Sequence, residues 1–190
     1  NITAYGVAGI LNGSINFTGT SNTNGSIAYN NSNMKITRYP FSFNFWMKSN
    51  ETQLGVSGQV GLVSLSNVGT GNCVAGEYQT ATIMIDDGIL NIFTSNCSNA
   101  VQIGASTTFV TNNSWIMVTG VWTDASTRTL YANGNSIFNG TQSIGFNVDV
   151  FTHFTLGSIS NFGTPPTEQG FYSGLIDEVG DREDAVKYLE

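Results

Sequence analysis

The sequence predicts an all-β protein, a sandwich of two antiparallel sheets with one short helix at its C-terminal end. Short runs of apolar residues, many of them alternating with polar ones, recur along the chain, and turn residues separate them. A helical pattern occurs only after residue 180. With 190 residues the chain has the length of one domain, so we expect residues 1–190 to form a single domain with its core at about 10–180.

Two strands are the clearest. Residues 41–48 alternate, which places Phe41, Phe43, Phe45 and Met47 on one face and residues 42, 44, 46 and 48 on the other. Residues 115–122 are apolar on both faces, which is typical of a central, buried strand. We therefore expect all three tryptophans in the core, namely Trp46, Trp115 and Trp122.

Two hairpins follow from turn residues. The runs 80–85 and 89–93 flank Asp87-Gly88, and a two-residue type I′ turn there predicts that paired positions sum to about 175. The second hairpin is Leu130–Phe138, in which Asn133-Gly134 suits the same turn.

The C-terminal residues differ from the rest. Residues 151–156 and 171–179 supply the last predicted strands. After them Asp181 is a candidate helix N-cap, with Asp184 at the third helical position and Glu183 four residues before Lys187. This spacing predicts a short helix.

Seven motifs in this order resemble the laminin-G-like and concanavalin A-like lectin domains. The most specific are Leu130-Tyr-Ala-Asn133-Gly134 and Gly174-Leu-Ile-Asp177-Glu178-Val179. The others begin at Phe43, Leu62, Asp87, Trp115 and Leu156. The resemblance covers about residues 10–180 and implies a jelly-roll sandwich with ligand sites on loops at its rim. It breaks after Val179, where the family usually continues with another strand.

Charge is scarce and mostly negative. Charged residues make up 10% of the chain, against about a quarter in an average protein, and the formal net charge is −7. Without a basic stripe, binding to nucleic acid is not expected. No apolar run reaches the roughly 18 residues of a membrane helix, so we expect no membrane insertion. Few groups titrate near neutral pH, which predicts little change in stability between about pH 4 and 8.

Asparagine-linked glycosylation would explain how such a surface stays soluble. Asn-X-Ser/Thr sequons begin at nine asparagines, whereas the composition produces about five by chance. We predict glycosylation at Asn12, Asn16, Asn24, Asn30, Asn50, Asn96, Asn112 and Asn139. The chance origin of these sequons stays open. Their excess favours an extracellular location, or the surface of a cell or virion.

The two cysteines fit the same location. Cys73 and Cys97 lie on either side of the first hairpin, and we predict a disulfide between them, which would close a loop of about 25 residues. Zinc is not expected, because His153 is the single histidine of the chain.

Catalysis is not expected. A serine or cysteine nucleophile needs an imidazole base, and His153 lies in a predicted strand. The acidic residues do not form the closely spaced pair that a glycosidase requires. A sandwich-fold glycan hydrolase or lyase is therefore a remote alternative.

The resemblance implies a possible structural calcium ion, and no other cofactor is required. Family members often hold calcium near the closing strand, where Asp177 stands in this sequence. The loop around Gly19 would supply carbonyl oxygens, which calcium accepts as ligands. The alternative is that Asp177 caps local backbone groups or forms a salt bridge with Arg182 or Lys35.

A ligand site is expected on two long loops, 67–79 and 160–170, which would meet near one rim. We predict Tyr78, Phe162 and Tyr172 as contact residues, with Glu77 and Glu168 as polar partners. The alternative is that these loops only close the sandwich or contact a neighbouring domain.

The function predicted from these features is that of a non-catalytic recognition or adhesion module that binds a glycan or a cell-surface protein. The alternative is a structural subunit of a surface filament, surface layer or virion coat, which would associate with copies of itself. Fold alone does not decide between them.

Overall fold

The computed structural model describes residues 5–7, 9–10, 13–19, 27–30, 36, 38–50, 58–67, 79–96, 99–104, 110, 113–142, 151, 153–161 and 167–183. These residues form fifteen strands and no helix, and so include no helix that could cross a membrane. The strands are β1 (Tyr5–Val7), β2 (Ser14–Thr18), β3 (Ile27–Asn30), β4 (Phe41–Ser49), β5 (Gln59–Ser66), β6 (Gln79–Asp86), β7 (Ile89–Asn96), β8 (Asn99–Gly104), β9 (Trp115–Trp122), β10 (Thr127–Ala132), β11 (Asn135–Thr141), β12 (His153–Leu156), β13 (Ile159–Asn161), β14 (Thr167–Gln169) and β15 (Ser173–Glu183).

The strands form two antiparallel sheets, as predicted for a jelly-roll sandwich. One sheet has seven strands in the order β1-β2-β15-β4-β9-β10-β11, and the other has six in the order β3-β12-β5-β6-β7-β8. Strands β13 and β14 form a separate hairpin. Strands distant in sequence become neighbours, so that β15 pairs with both β2 and β4.

The core lies between the two sheets, and alternation along β4 shows how the sequence builds it. Phe41, Phe43, Phe45 and Met47 are at most 1% exposed, whereas Asn44 and Trp46 are half-buried. Trp122 stacks on Phe41 with ring centroids 4.9 Å apart. The inward face of β4 is therefore the aromatic centre of the core.

Both predicted hairpin turns are confirmed. Strands β6 and β7 pair with positions that sum to 175, from Gln79 opposite Asn96 to Asp86 opposite Ile89. The turn residues Asp87 and Gly88 have φ angles of 49° and 79°, and Asn133 and Gly134 have 50° and 78°. Positive φ at both turn positions is what a type I′ turn requires.

The prediction of a helix starting at Asp181 is wrong for residues 181–183. These residues extend β15, where Asp181 pairs with Phe43 and Glu183 pairs with Phe41. A bulge after Asp177, with Glu178 at a φ of 51°, shifts the register of β15. Pairing with β4 thus outweighs the local helical spacing. Residues 184–190 lie outside the described residues.

A polar bridge joins the two sheets inside the core. Thr94 of β7 accepts two hydrogen bonds at Oγ1, from Trp122 Nε1 at 2.9 Å and from Arg128 Nε at 2.7 Å. Arg128 is 0% exposed, and its Nη1 donates to the Ser126 and Gln142 carbonyl oxygens. A buried cation is thereby solvated by protein oxygen atoms.

The outer face of the six-stranded sheet is polar and nevertheless buried. Ser64, Thr80 and Thr82 are at most 2% exposed, and the oxygen atoms of Ser64 and Thr82 lie 2.7 Å apart. Thr80 also donates to the Leu65 carbonyl oxygen. His153 lies on the same face, opposite Asn30 and Ser66.

His153 predicts a pH dependence that composition alone does not. Burial lowers its pKa below the ordinary value of 6.5. Below about pH 6.5 the unfolded chain therefore binds a proton that the folded chain does not. The free energy of unfolding decreases as the pH is lowered from this value, and it levels off below the folded-state pKa. We expect a lower Tm at pH 5 than at pH 7.5, and His153→Gln to remove most of that difference. An equal drop in the variant would assign the loss to other groups.

Candidate functional site

A cleft of about 370 Å³ lies at one end of the seven-stranded sheet, where β4 ends and β15 begins. We call it the Lys48 cleft. Its described lining residues are mostly polar, and they come from three neighbouring strands and the turn before β9. They are Asn16, Lys48, Ser49, Asn50, Asn113, Gly174 and Leu175.

Strand register explains why these residues meet. Asn16 of β2 lies opposite Leu175 of β15, Leu175 lies opposite Lys48 of β4, and Lys48 lies opposite Trp115 of β9. Residues opposite one another in antiparallel strands share a face of the sheet. Because Met47, the neighbour of Lys48, faces the core, this row of four faces outward.

The backbone fixes the rim of the cleft. The Asn50 N–H donates to the Ser173 carbonyl oxygen at 3.2 Å, and the Asn113 N–H donates to the Ser49 carbonyl oxygen at 3.1 Å. Asn113 has a positive φ of 58°, a conformation that asparagine tolerates better than most residues. Both asparagines are exposed. Their positions are therefore set before any ligand binds.

Lys48 gives the cleft a positive charge. Within the described part of the chain, its side chain makes no ion pair or hydrogen bond. The described lining includes no carboxylate and no histidine, hence no acid–base pair. Asparagine amides offer two donors and an acceptor each. This set of groups suits a ligand with hydroxyl groups and an anionic or acceptor oxygen.

Tyr172 lies beneath this end of the sheet, and its place is a correction. We predicted it as a surface contact residue, but it is 0% exposed and its ring packs against Phe17 with centroids 6.2 Å apart. Its hydroxyl makes no hydrogen bond among the described residues. Burial raises the pKa of this phenol, and the nearby Ser49 side chain opposes the rise.

The three tryptophans do not share one environment. Trp122 is in the core as predicted. Trp46 and Trp115 are instead half-buried on the outer face of the seven-stranded sheet, so the core prediction is wrong for them. In the row across the strands Trp115 stands next to Lys48. An aromatic surface therefore adjoins the cleft.

The loop site predicted from the sequence is not assembled among the described residues. Asn67 and Gln79 are hydrogen-bonded at one end of β5, whereas the β13–β14 hairpin reaches Gly61 through the Gly170 carbonyl oxygen. Six residues of strand, about 20 Å, separate these points. Glu168 lies in that hairpin, opposite Ser160. The other three predicted contact residues, Glu77, Tyr78 and Phe162, lie outside the described residues.

The residues predicted for calcium are not brought together. Asp177 accepts the Ile10 N–H at Oδ2 and the Glu178 N–H at Oδ1, at 2.7 and 2.9 Å. Gly19 follows Thr18, and Thr18 pairs with Ser173 at the start of β15. Ser173 is four strand residues, or about 13 Å, from Asp177. The described residues also contain no cluster of three metal-ligating side chains. Both carboxylate oxygens of Asp177 thus accept hydrogen bonds from backbone amides.

The modification residues are only partly described. Both cysteines, Cys73 and Cys97, lie outside the described residues, as do three of the predicted sequon asparagines, Asn12, Asn24 and Asn112. Asn139 is exposed on the edge strand β11. Asn96 ends β7 and Asn30 ends β3. The remaining two, Asn16 and Asn50, line the Lys48 cleft.

Solved structures of other proteins share this fold. Domain 4 of AbnA, an extracellular arabinanase from Geobacillus stearothermophilus in complex with arabinotriose, is 18% identical, with a TM-score of 0.62 over 95% of this chain and 74% of that one. The CBM40 domain of a Ruminococcus gnavus sialidase bound to α2,3-sialyllactose is 14% identical, with a TM-score of 0.63 over 90% of both chains. Domains LG4-5 of mouse laminin α1 are 14% identical, with a TM-score of 0.62 over 96% of this chain and 44% of that one.

These identities establish a shared fold and nothing finer. No curated protein matches the chain by sequence. A family model, that of the concanavalin A-like lectin/glucanases superfamily, matches residues 19–180. The match agrees with the resemblance drawn from the seven motifs and covers most of the described strands. The chain therefore belongs to the concanavalin A-like lectin/glucanases superfamily.

Proposed function

We propose that this chain is a non-catalytic recognition module, located outside the cell or on a cell or virion surface, that binds a glycan in the Lys48 cleft. The observation that carries the proposal is the Lys48 ammonium group, which has no partner among the described residues and lies beside three asparagines in a cleft of about 370 Å³. This volume is in the usual range for small-ligand sites.

The chemistry of the lining supports a sugar as the ligand. Sugar hydroxyls both donate and accept hydrogen bonds, and so do asparagine amides. Leu175 and Trp115, which lie on either side of Lys48 in the row, offer apolar surface for the C–H face of a sugar ring. The fixed rim reduces the entropy lost on binding.

Two of the similar structures support the ligand class. They hold arabinotriose and α2,3-sialyllactose, which are saccharides. The lining of the Lys48 cleft also favours binding over catalysis, since its described residues offer no acid–base pair.

Glycan-array binding, followed by calorimetry on the best saccharide, tests the proposal. We expect Lys48→Met, which keeps most of the side-chain stem and removes the charge, to weaken binding about 10- to 100-fold, because a hydrogen bond to a charged group contributes about 1.5–3 kcal/mol. Asn50→Ala is expected to weaken binding about tenfold. Asn135→Ala, an exposed change on β11, is the matched control and is expected to leave binding unchanged.

Three outcomes would contradict the proposal. Full affinity in both cleft variants would move the site elsewhere on the chain. Binding to a cell-surface protein but to no saccharide would replace the ligand class. Concentration-dependent assembly without any ligand would favour the structural-subunit function.

A further inference from the structure

Two asparagines of the Lys48 cleft are also the acceptor residues of sequons. Asn16 begins Asn16-Phe-Thr18, and Asn50 begins Asn50-Glu-Thr52. A third lining residue, Asn113, is the middle residue of Asn112-Asn-Ser114. Sequon positions distant in sequence are thus gathered at one cleft by the sheet topology.

The two acceptor asparagines face the same space. Asn16 lies two strands from Lys48, about 10 Å across the sheet, with Leu175 between them. Asn50 follows β4 two residues after Lys48, and its backbone is held by the Ser173 carbonyl oxygen. Its side chain is exposed, whereas Asn16 is half-buried. A sugar attached to either residue would start at the cleft.

We propose that Asn16 and Asn50 are N-glycosylation sites and that the attached glycan covers the Lys48 cleft, so that the chain's own glycan excludes an external one. The proposal rests on the proposed function. It makes the glycosylation state a switch: the cleft is open in the unmodified chain and closed in the modified one.

The modification itself needs a lipid-linked oligosaccharide donor. The bond between the sugar C1 and the donor's diphosphate oxygen breaks, and a bond from C1 to the asparagine Nδ2 forms. Nδ2 loses one proton, and the lipid diphosphate leaves. Asn50 would be modified readily because it is exposed. Asn16 would be modified before β2 pairs with β15.

Tethering explains why the chain's own glycan would prevail. A group attached by a short flexible link has an effective concentration on the order of millimolar at a nearby site. An external saccharide of equal intrinsic affinity must exceed that concentration to displace it. The modified asparagine also loses one of its two N–H donors. Even without specific binding, the attached sugar occupies the space that a ligand needs.

The sequon threonines allow a clean test, because changing them abolishes modification and keeps both cleft asparagines. The full chain would be secreted from a eukaryotic cell line as wild type and as the double variant Thr18→Ala/Thr52→Ala. The matched control is Thr141→Ala, which removes the Asn139 sequon on β11. Peptide mass spectrometry measures glycan occupancy at each site. Acetylation of Lys48 by N-hydroxysuccinimidyl acetate measures access to the cleft.

We expect occupancy at Asn50 in the wild type, and Lys48 acetylation at least fivefold faster in the double variant. Thr141→Ala is expected to leave the rate unchanged. If the double variant is not secreted, trimming the wild-type glycans to single sugars with an endoglycosidase is expected to raise the acetylation rate instead. Empty Asn16 and Asn50 sites would overturn the proposal. So would occupied sites with Lys48 acetylated as fast as in unmodified protein.

A separate experiment tests the proposed function independently of the glycan switch. Unmodified protein made in bacteria has an open cleft, so its failure to bind any saccharide on a glycan array would refute the proposed function. Protection of Lys48 by the attached glycan would still stand in that case. Saccharide binding by the bacterial protein together with empty sequons in the secreted protein would refute only the switch.

Discussion

Replacing Thr94 by valine is expected to lower the free energy of unfolding by about 3 kcal/mol or more. Valine has nearly the same shape as threonine, so no cavity opens. The change removes the one oxygen that accepts from both Trp122 Nε1 and Arg128 Nε. Both donors would then be buried without that partner, and a lost partner costs most when the remaining group is charged.

The surroundings of Arg128 explain why the loss would not be compensated. Three of its four other N–H donors are already used by backbone carbonyl oxygens, those of Ser126 and Gln142 for Nη1 and that of Ala125 for Nη2. Burial lowers the pKa of the guanidinium, which still stays charged. The side chain is 0% exposed, so water does not replace the threonine oxygen.

Urea unfolding of wild type and variant measures the effect. Thr119→Val is the matched control, because Thr119 lies half-buried on the outer face of β9, and its change is expected to stay within about 1 kcal/mol. A loss in Thr94→Val no larger than that of the control would show that the bridge contributes little. In an Arg128→Met background we expect a smaller effect of Thr94→Val, since one of its two donors is then absent.

Features set by local spacing could be predicted from the sequence. The turn at Asp87-Gly88 fixed the register of β6 and β7, because only a two-residue turn with positive φ angles joins those runs. The alternation in β4 separated core residues from outer-face residues in the same way. For Trp46 two signals disagreed, because alternation predicts the outer face and side-chain size predicts the core. The structure follows the alternation.

Features set by pairing across the fold could not be predicted. Residues 181–183 have a helical spacing, yet they extend β15 because β4 offers them backbone partners. The turn-rich surroundings of Tyr172 predict a surface residue, yet it is buried with its ring against Phe17 of β2. The Lys48 cleft depends on register between β2, β15 and β4, which no local signal carries. One clue existed, since Lys48 is a rare cation within a strand.

Gly174→Ala is the other change with a large expected effect, a loss of about 3 kcal/mol or more in the free energy of unfolding. Gly174 has a φ of 146°, which side chains rarely adopt and which costs about 1–3 kcal/mol. A Cβ there would also overlap the Lys48 carbonyl oxygen and lie 2.5 Å from the Tyr172 hydroxyl. Overpacking of this kind adds about 1–3 kcal/mol.

Gly134→Ala separates the two causes. Gly134 also has a positive φ, 78°, but nothing lies within 4 Å of its added Cβ, so we expect a loss of only about 1 kcal/mol there. Denaturant unfolding of both variants gives the comparison. If Gly174→Ala costs no more than Gly134→Ala, the close packing beneath the cleft is not a constraint.

Tyr172→Phe adds a further control for Gly174→Ala. Alone it is expected to change stability by less than about 1 kcal/mol, because the hydroxyl it removes has no hydrogen-bond partner among the described residues. In its background Gly174→Ala should cost less but still more than Gly134→Ala, since the Lys48 carbonyl oxygen remains in the way. Relief of that overlap would displace the end of β4, so a folded Gly174→Ala protein should also lose saccharide binding in the Lys48 cleft.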